Sequence, residues 1–187
     1  MFLRRIFAIS LVTASTATAA DTLDINLRDS SAQLQYGASM GRDTLGKSEL
    51  HLGVLYADKD NYLADFGLLV KDEVSRNAPR TSIGVGIKVV AGKSGANDTS
   101  AVAIGAQAGF VPTTDPRFSV VGQVYASPTI LTFGQAERFI EASVRAEYEI
   151  IPQAVAYLGY RTTRFDLKTK TTAKLDDGLH VGLRMMF

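Results

Sequence analysis

The period of the apolar residues constrains this chain most. From Leu23 onward they occupy alternate positions in segment after segment, and the last segment is the cleanest. There Leu179, Val181, Leu183, Met185 and Phe187 alternate with His180, Gly182 and Arg184. Successive side chains of a strand point to opposite faces, so this segment has one wholly apolar face and one mixed, partly charged face. A strand of roughly ten residues, apolar on one side, suits a barrel that crosses an outer membrane. The apolar face ends on an aromatic residue, so Leu179, Val181, Leu183, Met185 and Phe187 also read as the signature taken up by the outer-membrane barrel assembly machinery. The last strand of a soluble β-sandwich would show the same alternation, and the rest of the chain has to decide.

The first twenty residues have the build of an export signal. Arg4 and Arg5 give a positive start, Ile6 to Val12 a short apolar core, and Thr13 to Ala20 a run of small residues. Cleavage is expected after Ala19 or Ala20. The apolar core is too short for a membrane-spanning helix, and no later window holds eighteen consecutive apolar residues. The expected organisation is a secretory signal peptide over 1–20 and a single β-barrel domain over 21–187.

Alternation runs through almost the whole remainder. Leu50, Leu52, Val54 and Tyr56 are one apolar row, and Tyr62, Ala64, Phe66, Leu68 and Val70 the next. Ile83, Val85, Ile87 and Val89 follow, then Val102, Ile104, Ala106, Ala108 and Phe110. Ile140, Ala142, Val144, Ala146, Tyr148 and Ile150 precede a very short turn at Ile151-Pro152. No helical stripe competes with this pattern, so the chain is all-β and antiparallel. It has about ten strands if the segment at Leu23 pairs, and eight if the weak segments merge. With ten, the turns fall into two sets. One lies around Ser30, Lys59, Ser94, Gly134 and Thr171, the other around Gly41, Glu73, Thr114 and Pro152, and both termini share an end.

The glycines favour a barrel over a sandwich. The polar rows contain Gly37, Gly53, Gly67, Gly84, Gly86, Gly105, Gly109, Gly159 and Gly182. A face in water has no need of so many missing side chains, and glycine weakens a strand. A narrow barrel interior does need them, because eight to ten strands enclose little room.

Composition removes several classes of function. There is no Cys, hence no disulfide, thiolate metal site or Cys nucleophile, and the formal net charge of +1 offers no basic excess for nucleic acid. No cofactor and no metal site is expected. If the polar face is the lumen, it carries Glu49, Asp65, Glu141, Glu147 and Glu149 against Lys88, Arg145, Arg161 and Arg184. Buried charges must pair or they are costly. These residues therefore form either an ion-paired plug that holds a narrow barrel shut or the lining of a narrow charged pore with small conductance. A hydrolase would have to use His51 or His180 with Ser39, Ser82 or Ser143, and no His-Glu-x-x-His is present. A non-enzymatic barrel is expected, monomeric and in contact with outer-membrane lipid and lipopolysaccharide. The alternative is a barrel that binds a ligand or partner through its outer loops, where Lys168, Lys170 and Lys174 lie among threonines, and Ile130, Leu131 and Phe133 interrupt another loop.

Three stretches carry a family resemblance: Val124-Tyr125-Ala126-Ser127-Pro128, Glu141-Ala142-Ser143-Val144-Arg145-Ala146-Glu147-Tyr148 and Leu158-Gly159-Tyr160-Arg161. In these the chain resembles the YfaZ family of outer-membrane proteins. The resemblance implies a small outer-membrane barrel, porin-like by description, with no assigned chemistry.

Overall fold

A computed structural model describes residues 21–43, 46–58, 61–75, 80–94 and 97–187. The signal segment, with its cleavage sites at Ala19 and Ala20, lies outside the described residues. Ten strands form a closed antiparallel barrel: β1 (Thr22–Leu27), β2 (Ser31–Asp43), β3 (Gly46–Ala57), β4 (Asn61–Ser75), β5 (Arg80–Ser94), β6 (Asn97–Val111), β7 (Phe118–Ser127), β9 (Ala136–Ile151), β10 (Ala154–Leu167) and β11 (Thr172–Met186). A three-residue strand, β8 (Thr132–Gly134), continues the wall beside β6 where β7 has ended. Each long strand pairs with its neighbour in the chain, and β1 closes the ring by pairing with both β2 and β11. The weak segment at Leu23 is thus the closing strand, and the count is ten rather than eight.

The apolar rows face outward. Phe66, Val85, Ile104, Val144, Leu158 and Val181 are each about half exposed or more, and they form a belt around the barrel. Asp65, Lys88, Glu141, Glu147 and Arg161 of the same strands turn inward and are buried.

The glycines sit where side chains from neighbouring strands cross the inner wall. Gly86, Gly105 and Tyr125 stand in one register row on β5, β6 and β7. The Tyr125 ring lies over Gly105, and its hydroxyl comes within 2.7 Å of where a Gly86 Cβ would be. In the same way Tyr157 on β10 lies over Gly182 on β11 and donates its hydroxyl to Asp24 on β1. Aromatic cover of a strand glycine pins register and lets a tight sheet coil.

The strands outrun the apolar pattern at the end that holds both termini. Gly41 and Glu73, read as turns, are inside β2 and β4. Lys71, Asp72 and Glu73 still pair with Gly84, Ile83 and Ser82, because a ladder needs only backbone groups and can continue past the belt. At Gly41 the register shifts between Ser39 and Arg42, and Gly41 takes a φ of +94°. The polar stretch 166–177 is likewise mostly strand, and only 168–171 turn.

Candidate functional site

The interior is layered along the barrel axis. At the end with the termini, a vestibule of about 550 Å³ opens among Arg42, Lys47, Asp72, Ser82, Phe110 and Met186. Its floor is Arg145, Glu147 and Arg184. Arg145 and Glu147 are two apart on β9 and so point the same way, with Nε 2.5 Å from one Glu147 oxygen. Arg184 reaches the other oxygen from β11. Beside them Lys71 donates to Glu49 at 2.7 Å, and His51 Nδ1 lies 3.8 Å from the same carboxylate.

The middle layer is a set of charged spokes. Lys88 on β5 donates to Glu141 on β9 at 2.7 Å, and its Nζ stands 3.9 Å from Asp65 and 4.5 Å from the centre of the Tyr125 ring. Arg161 on β10 donates to Asp176 at 2.7 Å and also to Gln33 on β2. Asp176 accepts further bonds from Arg28 at 2.8 Å and Ser31 at 3.0 Å. Two voids of about 50 and 20 Å³ remain among these groups, room for roughly one to four waters.

The third layer, at the far end, is dry. Leu55, Leu63, Val90, Phe139, Phe165 and Leu175 are buried there with Ala101, Ala103, Ala136 and Leu167. Phe139 and Phe165 are register partners on β9 and β10, fully buried, with ring centroids 4.8 Å apart. A barrel of ten strands encloses a lumen that side chains can fill, and here apolar ones fill its last third.

Of the expected lumen charges, Glu49, Asp65, Lys88, Glu141, Arg145, Glu147, Arg161 and Arg184 all lie in this interior. Glu149 stands apart: it is half-buried at the terminal end of β9, where its backbone N–H donates to the Arg117 carbonyl. Sequence reasoning missed Asp176, which sits in the stretch read as a polar loop. Asp176 keeps the inward parity of His180, and the register shift between Thr163 and Arg164 falls beyond it, so only the loop-like composition of 166–177 hides it. It also missed Asp24, held by Tyr157, and the dry layer. The dry layer had a signal: Val54-Leu55-Tyr56, Tyr62-Leu63-Ala64 and Val89-Val90-Ala91 are apolar on both faces.

The residues read as an assembly signal line the outer wall of β11, with Leu179, Val181, Leu183 and Phe187 exposed. Phe133 pairs with Ser100 in the wall and is exposed, and Ile130 is 84% exposed.

Among solved structures the barrel is similar to the KdgM porin, with 13% identity over 90% of this chain and 99% of that one and a TM-score of 0.46. It is also similar to the NanC porin, with 9% identity over 90% and 99% and a TM-score of 0.43. No curated protein matches the sequence. The family model described as YfaZ precursor matches residues 3–187, and the chain belongs to the YfaZ family.

Proposed function

We propose that this is an integral outer-membrane barrel, porin-like in form, whose narrow lumen is closed at rest and passes at most small solutes. The layered interior carries the reading: a vestibule open at one end leads through charged spokes with water-sized voids to a dry cluster around Phe139 and Phe165. The outward belt supports lipid embedding, since polar backbone atoms of the wall are paired strand to strand and the charged side chains level with the belt turn inward. On this reading residues 1–20 are removed on export, the assembly machinery takes hold of the outward row Leu179 to Phe187, and the barrel works as a monomer. We assign it no catalytic chemistry. His51 is engaged beside Glu49, and His180 packs edge-on against Tyr157 at 5.9 Å.

The test is refolding of residues 21–187 into detergent and then liposomes, followed by swelling assays with sugars of graded size. The expected result is a heat-modifiable gel shift together with swelling no faster than protein-free liposomes for a disaccharide. A chain that stays soluble without detergent, or a barrel that admits disaccharides freely, would contradict the reading.

A further inference from the structure

The outer wall of β9, β10 and β11 changes character abruptly toward the far end. Ile140, Tyr160 and Leu179 belong to the apolar belt. Arg138 follows Ile140 directly on that face, while Arg164 and Lys174 follow Tyr160 and Leu179 after one intervening outward residue each, Thr162 and Asp177, and all three bases are exposed. Arg164 stands opposite Ile140 on β9 and opposite Lys174 on β11. Arg138, two residues beyond Ile140, is its diagonal neighbour. Like charges directly opposite one another on a sheet face are destabilising, yet here a Lys and two Arg share one patch.

The nearby acids compensate only in part. Asp177 is taken by Tyr160 and by Lys174 at 3.0 Å. Asp166 is opposite Arg138 in register but accepts from Thr172 at 3.0 Å. Glu137 is exposed beside them, and Lys168 and Lys170 add two more bases at the adjoining turn. Among the described residues, the guanidinium groups of Arg138 and Arg164 have no ion-pair or hydrogen-bond partner. Two guanidinium forks are thus left open at the edge of an apolar belt, the geometry that takes a phosphate two-pronged.

We propose that Arg138, Arg164 and Lys174 form an external site for a phosphorylated lipid headgroup, that of lipid A in the leaflet at the far end. The acyl chains would lie against Ile140, Tyr160 and Leu179, with the phosphate above them. This rests on the membrane reading given above.

The experiment measures thermal unfolding of the refolded barrel in neutral detergent micelles. The micelles carry diphosphorylated lipid A, dephosphorylated lipid A or no lipid, and a further arm adds inorganic phosphate. Wild type, R138Q/R164Q and, as control at the other end, R80Q are compared. The expected result is a Tm gain of several degrees for wild type and R80Q with diphosphorylated lipid A, cut by at least half in R138Q/R164Q, and absent with the dephosphorylated form. Equal gains in all three proteins, or with both lipids, would overturn the site. A gain reproduced by inorganic phosphate alone would overturn the lipid assignment. A wild-type chain that is soluble without detergent would overturn the membrane reading and this site with it, whereas a folded barrel that ignores the phosphates overturns this site alone.

Discussion

Lys88 and Glu141 meet across the lumen: β6 and β7 lie between their strands, and Nζ is still only 2.7 Å from Oε1. Both side chains are about 95% buried. Lys88 serves a second carboxylate, Asp65, at 3.9 Å, and the Asp65 carboxylate accepts no hydrogen bond from any described residue. The two ends of this spoke are therefore unequal. Glu141→Gln leaves Lys88 facing Asp65. Lys88→Met strands two buried carboxylates, and removing one partner of a buried pair costs about 3–5 kcal/mol. Urea unfolding in micelles, followed by the gel shift, should show Lys88→Met well below Glu141→Gln in stability. Equal losses would mean that Asp65 does not lean on Lys88.

Asp176 joins Arg161, Arg28 and Ser31, and no other described acid accepts from Arg28 and Arg161 together. Asp176→Asn should cost about 3–5 kcal/mol by leaving the buried Arg161 without an acid and Arg28 with only the exposed Asp29. Asp29→Asn, removing an exposed carboxylate 3.3 Å from Arg28, should cost less than about 1 kcal/mol. The same unfolding measurement checks both, and similar losses would contradict the difference in burial.

The glycine rows give a steric prediction. A Cβ at Gly105 would strike the Tyr125 ring and one at Gly182 the Tyr157 ring, whereas at Gly122 the nearest atom is a carbonyl oxygen 3.9 Å away. Gly105→Ala and Gly182→Ala should each destabilise by about 1–3 kcal/mol, and Gly122→Ala should be tolerated. If all three behave alike in the unfolding assay, the aromatic cover is not what requires glycine.

These three cases also show what the sequence made legible. Alternation assigned Val144 outward and Glu141 and Arg145 inward, and one-residue parity is enough for that because a strand has only two faces. The glycine excess on the inner face pointed to a crowded lumen, though not to Tyr125 and Tyr157 as the side chains that crowd it. Those contacts depend on which strands neighbour each other and in what register. Asp176 escaped because the Lys- and Thr-rich stretch around it looks like a loop, although it shares the parity of His180 and the bulge lies beyond it. The end of β4 escaped because Lys71 to Glu73 look like a loop, although their backbones remain paired.

The outward belt makes a depth-dependent prediction. Val144 is near the middle of β9 and half exposed. Val144→Arg should destabilise the barrel in lipid by about 2–4 kcal/mol, the cost of an arginine at the bilayer midplane. Thr162→Arg, nearer the far edge of β10, should cost less. Reversible folding into vesicles measures both, and a neutral Val144→Arg would contradict lipid exposure of that face.

The central claim, a lumen closed by its dry layer, is tested most directly by planar-bilayer conductance of wild type beside Phe139→Ala/Phe165→Ala, with the gel shift as the folding control. The account predicts a wild-type barrel that is silent or shows only brief, small steps, and a double variant with larger and more frequent ones. Stable, large steps in wild type that the double variant leaves unchanged would show that the passage does not run through Phe139 and Phe165, and that the barrel is not closed there.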